Sequence, residues 1–201
     1  TGTRNSAVGY DALFANTEGN YNTAMGDIAL RENTTASYNT AVGMGALEKA
    51  TTGGFNVAVG TLALEELTTA VDNTAVGHEA GTAITTGAEN TAIGTESLKT
   101  VTTASYSTAV GHSALRVATS GGFNTAVGRD AGVAVSTASG LVLVGERAGN
   151  AMTAGGNNTA VGQLSLYATT TGTNNVAVGT SAADSITTGI SNTAVGKDSL
   201  T

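Results

Sequence analysis

The stretch from Asn39 to Leu47 reads N-T-A-V-G-M-G-A-L and contains the pattern that decides the fold. The pattern N-T-A-V-G-x-x-A-L returns along the chain, and its central glycine recurs every seventeen residues without an insertion or deletion. A chain that gains or loses no residue between repeats must stack each repeat on the last, which is typical of a solenoid. The sequence therefore predicts twelve coils, one at each repeat glycine: Gly9, Gly26, Gly43, Gly60, Gly77, Gly94, Gly111, Gly128, Gly145, Gly162, Gly179 and Gly196.

Seven of the repeats also carry a threonine pair that begins eight residues after the glycine, as in Thr51-Thr52-Gly53 and Thr85-Thr86-Gly87. Glycine and β-branched residues both disfavour a helix, so short extended segments joined by turns are expected. The chain has no proline, which is consistent with continuous hydrogen-bonded ladders. We expect an all-β fold, a left-handed parallel β-roll or β-solenoid of twelve 17-residue coils, in which residues 1–201 form a single repeat array.

Side chains alternate between two faces in an extended segment such as Thr74-Ala75-Val76. The residue before the repeat glycine is Val, Met or Ile in every coil, so we assign this column to the core. The leucines four residues after the glycine are expected to face it, joined by a second set of apolar residues. The leucines are Leu13, Leu30, Leu47, Leu64, Leu98, Leu115, Leu166 and Leu200, and the second set is Leu67, Ile84, Val101, Val135, Met152 and Ile186.

Under this assignment, the alanine column, which stands two residues before each repeat glycine, faces outward. A smooth apolar stripe along a rod of about 55 to 60 Å would be large for a monomer. Leu141 and Leu143 belong to the same outward face under this interpretation. We therefore expect lateral packing against identical chains, giving a homotrimer. The column consists of Ala7, Ala24, Ala41, Ala58, Ala75, Ala92, Ala109, Ala126, Ala160, Ala177 and Ala194, with Leu143 in the remaining coil.

Polar residues also recur in columns. Ten of the twelve coils carry Asn four residues before the glycine, with Ser107 and Leu141 as the exceptions. Stacked asparagines can bond to each other along the axis, and the threonine pairs predict a similar ladder. Charged residues concentrate at the first, second, fifth and sixth positions after the glycine, as in Glu48-Lys49 and Arg129-Asp130, and these positions mark a solvent-exposed rim.

Composition excludes several classes of function. The formal net charge of −7 and the pI of about 4.6 disfavour nucleic-acid binding and anionic membrane surfaces. No apolar run reaches the roughly 18 residues of a membrane span, so no membrane insertion is expected, and no signal peptide is seen. The absence of cysteine leaves the compartment open. The chain starts just before one repeat and stops inside another, so we expect a fragment of a longer chain.

No catalytic, cofactor-binding or metal-binding residue is predicted, and no cofactor. His78 and His112 are both one residue after a glycine and two coils apart, about 10 Å along the axis, which is too far to share a metal. The carboxylates Glu65, Glu66, Glu79 and Glu96 are expected on a convex solvated rim without a pocket. The chain is therefore not expected to be an enzyme.

Tyr21, Tyr38 and Phe55 occupy one column in three successive coils, and Tyr106 and Phe123 recur in it later. Aromatic columns can bind sugars, but rings at this spacing more often stack on each other, with about 0.5 to 1.5 kcal/mol of stabilisation per pair. Packing is the preferred interpretation, and ligand binding is the alternative.

The N-T-A-V-G-x-x-A-L pattern with T-T-G between copies resembles the parallel β-roll repeats of trimeric autotransporter adhesin heads. It is even more similar to the N-T-A-V-G-x-x-A-L arrays of bacteriophage tail fibres and related bacterial surface proteins, over residues 5 to 200. The resemblance implies a parallel homotrimer of rolls, located outside the cell on a virion or bacterial surface, with a cell-surface glycan or protein receptor as a further partner. The longer repeat and the lack of a membrane anchor or coiled-coil stalk weaken the autotransporter assignment.

Three functions follow as hypotheses. The first is a structural and adhesive fibre shaft, like that of a phage tail fibre, which presents a receptor-binding tip. The second is an autotransporter-type head that binds a host or surface directly. The third belongs to another class, an ice-binding solenoid, because regular threonine columns on a flat face can order water.

Overall fold

The computed structural model describes residues 2–201 and contains twelve three-residue strands and, in this part of the chain, no helix. The strands form one parallel sheet in chain order, each paired with the next. Their bounds are β1 Ser6–Val8, β2 Thr23–Met25, β3 Thr40–Val42, β4 Val57–Val59, β5 Thr74–Val76, β6 Thr91–Ile93, β7 Thr108–Val110, β8 Thr125–Val127, β9 Val142–Val144, β10 Thr159–Val161, β11 Val176–Val178 and β12 Thr193–Val195.

The pairing register is seventeen residues throughout. Thr40 of β3 lies opposite Val57 of β4, and Val57 lies opposite Thr74 of β5. The backbone outside the strands follows the same ladder, since Leu30 N donates to Ala46 O at 3.0 Å and Glu32 N to Glu48 O at 2.9 Å. The repeat is therefore the structural unit, and the prediction of a parallel β-solenoid is confirmed.

The two faces of the strands are the reverse of the sequence-based assignment. From Ala24 to Ala194 the alanine column, including Leu143, is buried at 0 to 3% exposure. The column before the glycine is exposed or half-buried instead, with Val76 at 37% and Ile93 at 39%. The prediction that valine fills the core and alanine forms an outer stripe is wrong.

Packing and hydrogen bonding explain this orientation. The leucine column is buried as predicted, apart from the exposed Leu200, and its side chains fill the interior so that each strand contributes only a methyl group. The asparagines also point inward, where Asn39 Nδ2 donates to Gly53 O at 2.9 Å. Residues four and two before the glycine share a face of the strand, so an inward asparagine requires an inward alanine.

Leu141 and Leu143 are buried, at 1% and 0%, and form no surface patch. Leu143 fills space left where the leucine column is interrupted. A Cβ atom on Gly132 would lie 2.6 Å from its Cδ1 atom, and one on Gly149 would lie 2.8 Å from its Cδ2 atom. Leu143 of β9 therefore fills the core space that glycines leave at two positions of the leucine column.

A second compensation acts within single coils. Where glycine replaces the leucine, the residue three positions later is large: Ile84 lies 3.1 Å from the Cβ position of Gly81, and Met152 lies 3.5 Å from that of Gly149. Ile84 and Met152 are both fully buried. The predicted second apolar set is thus confirmed as core, with Ile186 partly buried at its edge.

The asparagine ladder is present and buried. Asn73 N donates to Asn56 Oδ1 at 3.0 Å, and Asn90 N donates in turn to Asn73 Oδ1 at 3.0 Å. Each amide group also donates to a carbonyl of the following turn, such as Asn73 Nδ2 to Gly87 O at 2.9 Å. These bonds satisfy polar groups that would otherwise be buried without partners.

The first threonine of each pair forms the second predicted ladder. The Thr51 hydroxyl donates to Thr68 O in the next coil at 3.1 Å. The backbone N–H groups of Thr51, Thr52 and Gly53 converge on the same oxygen at 3.0 to 3.4 Å. Each turn therefore clamps the next through one carbonyl group.

Candidate functional surfaces

The outer sheet face, which we define as the third and first residues before each repeat glycine, is uncharged along the whole array. Its 24 positions hold only Thr, Ser, Val, Met and Ile. Eleven spacings of about 4.8 Å between twelve strands make the face about 53 Å long. At a width of about 10 Å its area is on the order of 500 Å², at the upper end of the apolar patches that monomers leave exposed.

The strand alternation keeps these side chains outside. Val76, Val127 and Val178 are each 37 to 38% exposed, although valine is usually a core residue. Thr or Val accompanies each of them two residues earlier, on the same face. Among the described residues, eleven of the 23 exposed large apolar side chains are therefore in line on this one face.

The aromatic column, defined as the fifth residue before each repeat glycine, forms two parallel stacks. The ring centroids of Tyr21 and Tyr38 are 4.9 Å apart and those of Tyr38 and Phe55 are 4.8 Å apart, with interplanar angles of 8° and 5°. Tyr106 and Phe123 stack at 5.0 Å and 12°. The rings therefore pack against each other, as the preferred interpretation predicts, and all five side chains remain exposed to solvent.

The neighbours of the stacks in the column differ. Arg4 lies over Tyr21, 5.0 Å from the ring centroid, and its guanidinium bonds to the Tyr21 hydroxyl. Asp72 and Glu89 occupy the two coils between the stacks. Gly140 holds the aromatic-column position in the coil after Phe123, so the face of the Phe123 ring that points away from Tyr106 has no side chain of the adjacent coil on it.

Every described residue of the aromatic column has positive φ, for example 62° at Tyr38 and 58° at Phe123. The second and fourth residues after each repeat glycine also have positive φ, as at Leu62 (57°) and Leu64 (52°). Such angles are unusual for leucine and aromatic residues. Bonds to both neighbouring coils hold this turn, since Leu62 N donates to Met44 O at 2.9 Å and Leu64 N to Ala80 O at 3.0 Å.

The predicted rim carries the ion pairs. Lys99 Nζ lies 2.6 Å from Glu79 Oε2 and 2.9 Å from Glu96 Oε1. Its hydrogen bond lowers the pKa of the Glu96 carboxyl, and the bonds to the two carboxylates raise the pKa of Lys99. Both carboxylates are thereby paired with one half-buried cation on the rim.

Of the two adjacent carboxylates Glu65 and Glu66, Glu66 pairs with a lysine of the preceding coil. Lys49 Nζ lies 2.5 Å from Glu66 Oε1 in the next coil. Partial burial, followed by repulsion from Glu66, raises the pKa of the Glu65 carboxyl. The two residues are adjacent in sequence, at the fifth and sixth positions after Gly60.

His78 and His112 are both exposed on the rim. His78 Nδ1 lies 3.9 Å from Glu79 Oε2. Within residues 2–201 there is no group of three or more His, Cys, Asp or Glu side chains that could hold a metal ion. Of the candidate titratable residues, the structure brings Glu79 close to His78 and, through Lys99, to Glu96, all on the rim.

Sequence reasoning missed the outer sheet face and the positive φ of the aromatic column. A signal for the second was present, because residues that tolerate positive φ occur in the same column at Gly140, Asn157 and Asn174. A signal for the outer sheet face was also present. The asparagine and alanine columns are two residues apart, so their side chains lie on the same face of the strand, and an inward asparagine places the alanine inward as well.

Comparison of the chain with protein-family models, with curated proteins and with solved structures gave no match. No helix long and apolar enough to cross a membrane occurs among the described residues.

Proposed function

We propose that this chain is a segment of a rigid extracellular fibre on a virion or bacterial surface, assembled as a parallel homotrimer through the outer sheet face. The observation that carries the proposal is the uncharged outer sheet face, which runs unbroken over twelve strands. A face of this length with exposed valines fits a second copy of the same chain, whose strands have the same repeat distance.

Charge distribution supports this assembly. Three chains at −7 each would carry −21 in total, which would oppose association if the charges met at the interface. Nineteen of the 23 charged residues lie instead at the first, second, fifth and sixth positions after the glycine. These rim positions can stay in solvent while the uncharged faces meet.

The solenoid itself suits a load-carrying shaft. Every strand is paired with the next, and most coils are also joined by the asparagine ladder and the threonine clamps, as in the chain of contacts from Asn39 to Asn56 and Asn73. A rod of this kind bends only by straining many bonds at once, and its length grows by one coil at a time. The proposed function is therefore mechanical, to hold a receptor-binding tip at a fixed distance.

The test is the mass in solution. The chain is 19.6 kDa, so light scattering after size exclusion should give three times that mass for the wild type. Replacing Val76 and Val127 together by glutamate should yield monomers, because carboxylates would be forced into an apolar interface. The matched control places glutamates at Thr95 and Thr180, which are exposed on the rim. A stable wild-type monomer would overturn the proposal.

Substitutions in the alanine column do not test assembly. Ala92 and Ala126 are 1% and 0% exposed inside their own coil. Glutamate at these positions would bury an unpaired charge in the core and unfold the coil rather than separate subunits.

Ice binding is the second candidate, and one observation favours it. Eight of the twelve strands present Thr on the outer sheet face, beside the Val, Met or Ile column. The resulting array of hydroxyl and methyl groups repeats at about 4.8 Å along the axis and about 7 Å along the strand. A thermal-hysteresis assay tests it: activity in a wild type that light scattering shows to be monomeric, and its loss when Val76 and Val127 on this face are replaced by glutamate, would favour this function over the fibre.

A further inference from the structure

The aromatic column contains one vacant level between a ring and an amide group. Phe123, Gly140 and Asn157 occupy successive coils of this column. Rings in the column stack at 4.8 to 5.0 Å, so the level of Gly140 is where a third ring would lie on Phe123. Gly140 has no side chain to fill it.

Phe123 presents its free face to this level. It is 67% exposed, compared with 41 to 58% for the other aromatic residues of the column. Among the described rings of the column, only Phe123 has a neighbouring coil without a side chain, since Arg4 adjoins Tyr21, and Asp72 and Glu89 adjoin Phe55 and Tyr106. One stack therefore ends in an uncovered aromatic face.

Asn157 borders the vacant level from the other side. A Cβ atom on Gly140 would lie 2.5 Å from Asn157 Oδ1, so the amide oxygen already occupies the inner part of this level, next to the Gly140 backbone, and only the outer part beside the Phe123 ring is open. Asn157 is exposed, and within residues 2–201 its side chain has no hydrogen-bond partner. The level thus lies between an apolar ring face and a free donor and acceptor.

The surroundings are uncharged. Ser139 precedes Gly140, Val142 and Val144 follow it on the outer sheet face, and Asn174 continues the column beyond Asn157. The charged residues of these coils, such as Glu146 and Arg147, lie on the rim after the glycine. A charged ligand would find no counter-ion here.

We propose that Phe123, Gly140 and Asn157 form a binding subsite for one ring of a neutral pyranose oligosaccharide. The C–H face of a pyranose would stack on the Phe123 ring, and its hydroxyl groups would bond to the Asn157 amide. A flat aromatic ligand would stack equally well but leave the amide unpaired.

Isothermal titration of the assembled protein with cellohexaose, maltohexaose and chitohexaose tests the subsite. At least one of these should bind the wild type, and Phe123→Ala should weaken it by tenfold or more. Phe55→Ala is the matched control, because it removes an aromatic ring at the end of the other stack and should leave affinity unchanged. A heparin hexasaccharide should not bind.

Gly140→Tyr gives an independent test. Tyr106 holds the same column position at φ 61°, and the clash at Gly140 involves only the mobile end of Asn157, so the variant should fold, as circular dichroism can check. It should extend the stack and abolish saccharide binding. Binding that persists in Gly140→Tyr, equal loss in Phe123→Ala and Phe55→Ala, or no binding to any of the three neutral oligosaccharides would overturn the proposal.

This subsite deepens the fibre proposal by giving the shaft a ligand of its own, yet all its residues belong to one chain. The two proposals can therefore fail separately. A monomer that binds saccharide would contradict the fibre and support the subsite, and a trimer that binds none of the three oligosaccharides would do the reverse.

Discussion

A Cβ atom on Gly94 would lie 2.6 Å from the carbonyl oxygen of Gly111 in the next coil. The backbone of Gly94 also has a φ of 124°, which side chains rarely allow. A positive backbone angle and the close approach of the next coil therefore both disfavour a side chain at this position. Gly94→Val should lower the free energy of unfolding by at least about 1 to 3 kcal/mol, as expected for strained backbone, and denaturant unfolding followed by circular dichroism measures it.

Gly196 separates the two causes. Its φ is 118°, but no atom lies within 4 Å of its Cβ position. Gly196→Val should therefore cost less than Gly94→Val, because only the backbone strain applies. Equal losses would show that close approach of coils is not what selects glycine here.

The seventeen-residue register predicts which deletions the rod tolerates. Removing residues 73–89 joins Asp72 to Asn90 and keeps every column in place. The product should fold and be about 4.8 Å shorter, as small-angle scattering can measure. Deleting only residues 73–80 shifts all later columns and should lower the melting temperature sharply. Equal tolerance of both deletions would contradict the coil as the unit.

Asn73 links three coils through its side chain and is 1% exposed. Asn73→Ala would remove the acceptor for Asn90 N and the donor to Gly87 O. Each buried group left unpaired costs about 1 to 3 kcal/mol, so a loss of about 2 kcal/mol or more is expected in chemical unfolding. Asn73→Ser is the control, because Ser107 naturally accepts from Asn124 N at 3.3 Å and keeps that half of the ladder. Serine should cost less than alanine.

The repeat period, the strand register, the leucine core, the rim and both polar ladders could be predicted because each follows from spacing alone. The orientation of the strands could not be read from apolarity. Alternation shows that Ala75 and Val76 face opposite ways but not which one is inside, and the greater apolarity of valine suggested the wrong choice. Steric room decides it, because the Leu64 and Leu67 side chains of the preceding coil already occupy the interior.

The candidate surfaces depended on that orientation. When Val76 is assigned to the core, the outer sheet face is not recognised as a surface. The subunit interface is then predicted on the alanine column, which from Ala24 onward is buried inside the folded coil. The vacant level beside Phe123 needed the structure for another reason. Sequence places Gly140 in the aromatic column, but only the stacking geometry and the position of the Asn157 amide show that the level is bordered on two sides.

A shorter ladder of buried asparagines ends without a partner. Asn33 Nδ2 donates to Asn16 Oδ1 at 2.7 Å, but Asn33 Oδ1 has no hydrogen-bond partner although the residue is fully buried. The next coil places Ala50 in this column and the one after it places Leu67, so the column accepts a larger side chain. Ala50→Asn should supply the missing donor.

We expect Ala50→Asn to raise the free energy of unfolding by less than about 1 kcal/mol, because the new amide pairs the Asn33 oxygen but its own Oδ1 then faces Leu67 without a donor. Ala50→Leu is the matched control, since leucine has a similar size to asparagine and no donor, and it tests whether filling alone stabilises the coil. Chemical unfolding of the three proteins decides between them. A gain that appears equally in Ala50→Leu, or a loss in Ala50→Asn alone, would show that the unpaired Asn33 oxygen does not limit stability at this point of the rod.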